Sequence, residues 1–481
     1  MKTSRREFIR ISSLSLGGAA LAGTFFNWAD GSVMAKSKPA IPGFKRTPTY
    51  CEICFWKCAG WAYTNENGDI WKLEGNIDDP HCNGRLCPRG TGGVGMYYDE
   101  DRLKTPLIRK TIDGKQTFVE ASWDEAFTAI AENLNKIARE HGPECVALFT
   151  HGSGGKFFGD LLNAYGSNNI TAPSFAQCRG PRETAFLTTY GSILASPEPL
   201  DIRDTKCLVL IGSHLGENMH NGQVQEMSDA IDKGATIITV DPRFSTAASK
   251  SKFWLPVKPA TDLALLLSWI HVIIKNEWYD KAYVEKYTYG FEELKKHVES
   301  FTPEWAYGIT TIQPQVIIDT AKEMANASPA VIVHPGRHVT WYGDDTQRLR
   351  AVAILNALLG SWGRRGGFFF PEKANIPSFP HPEFPKPRRT WRDAHPDGKY
   401  NLALEVVAND VCDSTIPSPD RDCNFKGWIV YGTNLILTLP DQKKTLEAIR
   451  NLEFMVVIDT MPMEITGYAD VVLPECTYLE R

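Results

Sequence analysis

The stretch Cys51-Glu52-Ile53-Cys54-Phe55-Trp56-Lys57-Cys58 spaces three cysteines as C-x2-C-x3-C, and a fourth cysteine, Cys87, follows after 28 further residues. Three thiolates on one tight loop and a fourth from a later loop can enclose the corners of a [4Fe-4S] cluster. A structural zinc site with four cysteine ligands also fits this spacing. Two disulfides fit it less well, because cysteines so close in sequence bridge poorly. The pattern therefore predicts an N-terminal metal site and favours the iron–sulfur cluster.

The residues directly after Cys87 are Pro88-Arg89-Gly90, so a cation stands two residues beyond a predicted cluster ligand. A positive charge there would stabilise the reduced, more negative cluster. Arg89 is therefore the candidate for tuning the potential of the cluster or relaying electrons, the alternative being a solvated surface arginine. Cys82 lies in the same segment but breaks the spacing, and we interpret it as a thiol outside the ligand set.

The N-terminus carries Ser4-Arg5-Arg6-Glu7-Phe8-Ile9-Arg10 ahead of a weakly apolar run at residues 11–26. A twin arginine before such a run is typical of a twin-arginine signal peptide, and Val33-Met34-Ala35 offers small residues for cleavage. Residues 1–35 are thus predicted to direct export to the periplasm or the outer face of the cytoplasmic membrane. A chance arginine pair before an apolar stretch is the alternative.

The composition is that of a large globular protein. At 481 residues the chain is too long for one hydrophobic core, and about two to four domains are expected. A formal net charge of -5 leaves no excess of cations for a phosphate backbone, so nucleic acid is not an expected partner. The longest apolar run, Leu263–Ile274, falls short of the roughly 20 residues that span a bilayer, and it predicts a buried helix.

Beyond residue 105, apolar strand-like runs alternate with helical patterns, which predicts parallel sheets covered by helices and an α/β fold. Residues Trp123–His141 are expected to form an amphipathic helix. The proline-rich and charged residues 371–401 are expected to form a long surface excursion. The predicted strands are Cys145–Thr150, Cys207–Ile211, Thr236–Val240, Ala330–Val333, Trp428–Tyr431, Phe454–Ile458 and Val471–Leu473.

Two stretches resemble copies of one unit. Residues Leu208–Ser213 are followed later by Val240-Asp241, and residues Trp428–Thr433 are followed later by Ile458-Asp459. In each copy one strand ends in glycine plus a hydroxyl residue, and the next ends in aspartate. Nucleotide-binding βαβ units share this layout, in which glycine lets the backbone approach phosphate and the acid meets a ribose or base. Chance similarity is the alternative, but together the copies predict two nucleotide moieties.

Cys178 stands in a polar loop, Gln177-Cys178-Arg179-Gly180-Pro181-Arg182. Two nearby arginines would lower the pKa of its thiol and suit it to metal ligation. On sequence chemistry alone, a loop cysteine that binds no metal remains the simpler interpretation.

Together with the cysteine motifs above, three later segments resemble the molybdopterin oxidoreductases of the dimethyl sulfoxide reductase superfamily, and the resemblance covers almost the whole chain. Phe55-Trp56-Lys57-Cys58 and the Cys178 loop point more narrowly to the catalytic subunits of polysulfide and thiosulfate reductases. The three later segments are Asp241-Pro242-Arg243, Asn356-Ala357-Leu358-Leu359-Gly360 and Ala469-Asp470-Val471-Val472-Leu473-Pro474-Glu475.

The resemblance implies a molybdenum atom, or less often tungsten, held by two molybdopterin guanine dinucleotides and one protein side chain. Cys178 falls where the family places that side chain. In the sulfur-reducing branch a histidine and an arginine approach the metal, and His151 and Arg337 occupy the matching loops. The residues implied to line the dinucleotides are Gly212, Ser213, Asn218, Asp241 and Arg243 for one, and Gly432 and Asn434 for the other.

The implied architecture is a small [4Fe-4S] domain at residues 44–107 and two doubly wound, nucleotide-binding-like halves. One half comprises residues 146–337, and the other comprises residues 108–145 with 338–481. Relatives carry a further C-terminal domain, and the sequence stops inside a motif that they continue, so this domain is expected to be missing. The implied partners are a ferredoxin-like iron–sulfur subunit and a quinone-linked membrane anchor, with no membrane span expected in the mature chain itself.

The implied activity is the two-electron reduction of an anionic sulfur compound, polysulfide or thiosulfate, in a positive pocket beside the metal. Arsenate and tetrathionate reductases also pair a cysteine ligand with an anionic substrate and remain alternatives. Formate oxidation is disfavoured, because formate-oxidising members usually place histidine directly after the metal-binding residue, whereas Arg179 follows Cys178. A molybdenum-free iron–sulfur electron-transfer or structural subunit is the alternative from another class.

Overall fold

The computed structural model describes residues 41–481 apart from residues 153, 195–196, 214, 218–220, 337–342, 344, 372–374, 376, 378–379, 396–398 and 420–423. The predicted twin-arginine segment therefore lies outside the described residues. The described chain divides into two compact units. Unit 1 comprises residues 41–51 and 58–94, and unit 2 comprises residues 52–57 and 95–481.

Unit 1 is built on a three-stranded antiparallel sheet of β1 (Lys45–Tyr50), β2 (Ala59–Thr64) and β3 (Ile70–Gly75). Its buried apolar side chains are few, and Tyr63 and Leu73 are the largest of them. Since a small unit buries little apolar surface, other links must help to hold it together.

Unit 2 contains a four-stranded parallel sheet in the order β10-β9-β8-β11. Its strands are rich in valine, isoleucine and leucine, and most of their residues are fully buried, as expected for a parallel sheet covered on both faces. The strands are β8 (Cys207–Ile211), β9 (Thr236–Val240), β10 (Phe253–Leu255) and β11 (Val331–Val333).

The second sheet of unit 2 has seven strands in the order β5-β4-β14-β13-β12-β6-β7. The hairpin β4–β5 runs antiparallel at one edge, and the strands from β14 to β7 are parallel. The strands are β4 (Leu107–Ile112), β5 (Lys115–Glu120), β6 (Val146–Thr150), β7 (Ile170–Thr171), β12 (Gly427–Tyr431), β13 (Phe454–Asp459) and β14 (Val471–Pro474).

The strands β6 and β7, which open the predicted half 146–337, lie in the seven-stranded sheet. There β6 pairs along its whole length with β12, which belongs to the other predicted half. A buried apolar run suits either sheet, and sequence order alone does not tell which sheet it joins.

Within unit 2 the helices alternate along the chain with the strands of the two sheets. The helix Trp123–Glu140 begins at a capping box, in which the side chains of Ser122 and Glu125 each accept from the other residue's backbone N–H. The helices of the described residues are α1 (Pro88–Thr91), α2 (Gly93–Tyr98), α3 (Trp123–Glu140), α4 (Gly155–Tyr165), α5 (Gly180–Tyr190), α6 (Asn221–Asp232), α7 (Asp262–Lys275), α8 (Lys281–Tyr287), α9 (Phe291–His297), α10 (Pro303–Thr310), α11 (Pro314–Ala327), α12 (Asp345–Leu358), α13 (Ala408–Thr415), α14 (Leu435–Thr438) and α15 (Gln442–Arg450).

The predicted α/β class is confirmed, and the predicted strands match observed strands to within one residue at each end. The apolar run Leu263–Ile274 is the buried helix α7. Among the described residues, the helices are all too short or too polar to cross a membrane.

Candidate active site and cofactor sites

Three of the four motif cysteines lie in unit 1 and are brought together by its backbone. The N–H of Cys51 donates to the carbonyl of Cys58 at 2.8 Å. A Cβ built on Gly90 would lie 3.5 Å from the Cys51 Sγ, so the turn that carries Cys87 packs against Cys51. Cys87 is the N-cap residue of α1, and Arg89 follows inside that helix, partly buried. This thiol-rich corner is chemically suited to an iron–sulfur cluster.

Cys54, the remaining motif cysteine, lies in the loop 52–57 of unit 2. The N–H of Lys57 donates to the Cys54 carbonyl at 3.4 Å, and Lys57 itself adopts a left-handed conformation with φ of 47°. This tight turn is the local structure that the C-x2-C-x3-C spacing predicts.

Cys82 is separated chemically from the ligand set, as expected. Its buried Sγ lies 3.3 Å from the Ala59 carbonyl and 3.5 Å from the Asn76 carbonyl. Burial and then the nearby Asp79 carboxylate raise the pKa of the Cys82 thiol to about 11. A thiol that keeps its proton is a poor metal ligand.

The predicted duplication is visible in the backbone. Gly212 follows β8 with φ of 59°, and Gly432 follows β12 with φ of 60°. The Gly212 N–H donates to the carbonyl of Val240, the last residue of β9, at 2.9 Å. In the same way the Gly432 N–H donates to the carbonyl of Ile458, near the end of β13, at 3.0 Å. Each strand therefore ends in a glycine with the same left-handed conformation, which glycine adopts without strain.

The two turns differ in what surrounds them. A Cβ on Gly212 would meet no atom of the described residues within 4 Å, so the backbone there faces open space. A Cβ on Gly432 would lie 2.9 Å from the His151 carbonyl oxygen. The end of β12 is thus packed against the loop that carries His151, whose N–H donates to the Tyr431 carbonyl at 3.2 Å.

Two buried polar atoms near the second turn, the Asn434 Oδ1 and the Thr150 Oγ1, have no hydrogen-bond partner among the described residues. Buried polar groups are almost always paired, so atoms of this kind indicate an absent ligand. With the open backbone at Gly212, they fit a polar cofactor such as a pterin dinucleotide.

At the first turn, Ser213 and Asp241 are 8% exposed and lie after the adjacent strands β8 and β9. The Asp241 Oδ1 accepts from the Arg243 backbone N–H at 2.8 Å, and the Arg243 guanidinium is ion-paired with Glu217 at 2.7 Å. Carboxyl ends of parallel strands are the usual site of nucleotide binding in such sheets.

Cys178 lies in a π-helical turn, Phe175–Arg179, that runs directly into α5. The Gly180 N–H bonds to the Phe175 carbonyl, and a Cβ on Gly180 would lie 2.7 Å from that oxygen. π-turns widen a helix by one residue and are frequent at functional sites. The turn leaves Cys178 partly exposed at the start of the helix.

The two arginines near Cys178 are matched by carboxylates, which the sequence argument missed. Arg179 makes two 2.9 Å bonds to Glu183 and is also ion-paired with Glu405. Burial opposes the charge of Arg179, but these ion pairs outweigh it and raise the pKa of Arg179. Arg182 is fully buried against Glu198. The expectation that these arginines favour a Cys178 thiolate is therefore weakened, because each positive charge is compensated.

His151 lies at the end of β6 and lines a cavity of about 470 Å³ with Thr150, Lys156 and Ser174. Ser174 directly precedes the Cys178 turn. Desolvation and then the positive charge of Arg179 hold the pKa of His151 below its ordinary value, although His151 as a whole is exposed. Two other predicted site residues, Asn218 and Arg337, lie outside the described residues.

Comparison with known proteins follows the same division of the chain. Residues 44–99 match the Fe4S4 domain of molybdopterin oxidoreductases, and residues 102–481 match the molybdopterin oxidoreductase family. The chain belongs to the molybdopterin oxidoreductase family. The family prediction is confirmed, and so are its two cofactors, a [4Fe-4S] cluster and a molybdenum bis(molybdopterin guanine dinucleotide) centre.

Among curated relatives, the thiosulfate reductase molybdopterin-containing subunit of Salmonella typhimurium is 32% identical over 100% of this chain and 64% of its own length. A formate dehydrogenase subunit alpha of Methanocaldococcus jannaschii is 30% identical over 91% of this chain and 65% of its own length. The chain thus spans a little under two thirds of these relatives.

A solved structure has the same fold. Acetylene hydratase from Pelobacter acetylenicus superposes with a TM-score of 0.74 at 24% identity, covering 91% of this chain and 64% of that one.

Proposed function

We propose that this chain is the catalytic subunit of an exported molybdenum enzyme that reduces a small sulfur anion, polysulfide or thiosulfate. The observation that carries the proposal is the 32% identity to a thiosulfate reductase subunit along the whole chain. It is supported by Cys178, which is followed by Arg179 and lies on a π-turn. Ser174, the residue before this turn, lines the same cavity as His151.

Each residue has a defined task in this proposal. Cys178 would complete the coordination of the metal, while Cys51, Cys54, Cys58 and Cys87 would hold the cluster. When bound, the molybdenum centre supplies two-electron chemistry and the cluster single-electron transfer.

The remaining site residues would act on the substrate and the proton. His151, whose pKa is lowered, would accept or donate a proton at its ring nitrogens more readily than a permanently charged side chain. Arg337 would bind the anionic substrate through its guanidinium group.

The location and partners are part of the same proposal. The twin arginine at Arg5-Arg6 supports export by the twin-arginine route, which carries folded proteins. The relative's name as a molybdopterin-containing subunit supports assembly with other subunits, for which we propose a ferredoxin-like electron carrier and a quinone-linked membrane anchor.

The test is metal analysis of the purified full chain followed by an assay of reduced-viologen oxidation. We expect molybdenum and about four iron atoms per chain, with turnover on thiosulfate or polysulfide. Turnover only on arsenate, tetrathionate or formate would replace the proposed substrate. Iron without molybdenum would instead indicate an electron-transfer or structural subunit.

A further inference from the structure

A chain of buried polar side chains crosses the apolar interior of unit 2 beside the four-stranded sheet. Arg182 of α5, Glu198, Gln223 of α6 and His334 after β11 are each at most 5% exposed. The apolar residues of the same interior include Phe186, Leu200, Leu215, Met227, Ile332 and Leu349.

The hydrogen bonds of this network converge on Glu198 from both sides. The Gly336 N–H donates to the His334 Nδ1 at 2.9 Å, which puts the ring proton on Nε2. That Nε2 lies 3.4 Å from the Gln223 Oε1, and the Gln223 Nε2 donates to the Glu198 carboxylate at 3.4 Å. Arg182 is paired with the other Glu198 oxygen and also donates to the Gly336 carbonyl at 3.3 Å. The contacts therefore form a closed loop that begins and ends at Gly336.

A buried ion pair in such surroundings is not explained by stability. Removing two charges from water is costly, and well-packed apolar replacements are often as stable. A closed network of buried hydrogen bonds instead permits only one arrangement of the segments it joins, because any shift leaves a buried donor or acceptor unpaired.

The network joins the helix that follows Cys178 to Gly336, the residue before Arg337 in the sequence. Arg182 lies one helical turn after Cys178, on the helix that continues the Cys178 turn. Gly336, with φ of 68°, directly precedes Arg337, the proposed anion-binding residue. We propose that Arg182, Glu198 and His334 are positioning residues that hold the Gly336 backbone in fixed relation to the helix that follows Cys178. This inference rests on the proposed function and deepens it, because the buried hydrogen-bond network would set the affinity for the substrate anion.

The test compares Glu198→Gln with Asp229→Asn in the full, cofactor-loaded enzyme. Asp229, a residue of α6, is a matched control, because it also pairs with an arginine, Arg203, but at the exposed surface. We expect Glu198→Gln to raise KM for the sulfur anion about tenfold, equal to about 1.4 kcal/mol, with kcat changed less than about twofold. The molybdenum EPR signal of the half-reduced enzyme should also shift, while Asp229→Asn leaves KM and the signal unchanged.

A second variant keeps the test decisive if Glu198→Gln does not fold. Arg182→Met with Glu198→Met replaces the pair by apolar side chains and should load metal normally yet show the same rise in KM. A wild-type KM and EPR signal in either folded, metal-loaded variant would overturn the inference. A loss of metal that accounts for all the lost activity would also overturn it. If the wild type turns over no sulfur anion, the proposed function fails, but the EPR shift still decides whether the loop positions the metal site.

Discussion

At the scale of single residues, Cys178 is the side chain on which the proposed chemistry depends most directly. Cys178→Ala should abolish turnover, because no thiolate then completes the metal, while the iron–sulfur EPR signal and the melting temperature stay close to wild type. Cys476→Ala provides the control, since Cys476 is an exposed cysteine and its loss should leave turnover unchanged. A fully active Cys178→Ala enzyme would remove the assignment.

The duplicated glycines allow a second comparison of single residues. Both adopt the left-handed conformation, which costs alanine about 1 kcal/mol or more. In the cofactor-free chain that strain is the main expected effect at Gly212, whereas at Gly432 the new Cβ also meets the His151 carbonyl at 2.9 Å. Gly432→Ala should therefore lower the melting temperature more than Gly212→Ala and displace the His151 loop. Equal melting temperatures for the two variants would contradict this packing argument.

Some of the site could be predicted at this scale and some could not. The cysteine spacing and the Gly-plus-hydroxyl strand ends are local patterns, so they are readable from the sequence. The compensation of Arg179 by Glu405 joins residues 226 positions apart, and no local pattern reveals it. The arginine charges near Cys178 are therefore predictable from the sequence, whereas the carboxylates that neutralise them are not.

At the scale of elements, α13 anchors the proline-rich excursion through one buried carboxylate. Asp410 is fully buried and accepts from the Trp391 Nε1 at 2.8 Å, and its Oδ2 lies 2.7 Å from the His395 Nε2. Asp410→Ala should lower the free energy of unfolding by about 3 kcal/mol, because buried donors lose their acceptor. It should also speed proteolysis within residues 371–401.

Asp413→Ala on the same helix is the control for that prediction. Asp413 pairs with Lys444 near the surface at 2.6 Å, and the loss of such a pair costs about 1 kcal/mol at most. If the two variants are cleaved equally fast, Asp410 does not anchor the excursion.

The strength of the burial pattern decided which elements were predictable. β8, β9, β12 and β13 are continuous apolar runs and were found nearly to the residue. β1 and the hairpin β4–β5 are mostly exposed or half-buried, so their sequences lack the apolar signal of a buried strand. The excursion 371–401 reads as surface by composition, yet Trp391 is buried in it, because a single anchor residue does not change the composition.

At the scale of the whole molecule, the two units differ in what stabilises them. Among the described residues, the large apolar clusters consist of residues of unit 2. Unit 1 has a three-stranded sheet and few buried apolar side chains, a combination that seldom folds without a metal or cross-links. Binding energy at its cysteines should therefore supply folding energy to unit 1.

Removing iron should consequently affect the units unequally. After oxidation and chelation of the cluster, the amides of β1, β2 and β3 should lose protection from hydrogen exchange, because little apolar burial remains to hold that sheet. The amides of β8, β9, β12 and β13 should keep theirs, since those strands are buried within parallel sheets covered by helices. The measurement is hydrogen exchange read by mass spectrometry on the iron-loaded and the iron-free full chain. Undiminished protection of β1–β3 in the iron-free chain would mean that the apolar contacts of Tyr63 and Leu73 suffice for unit 1.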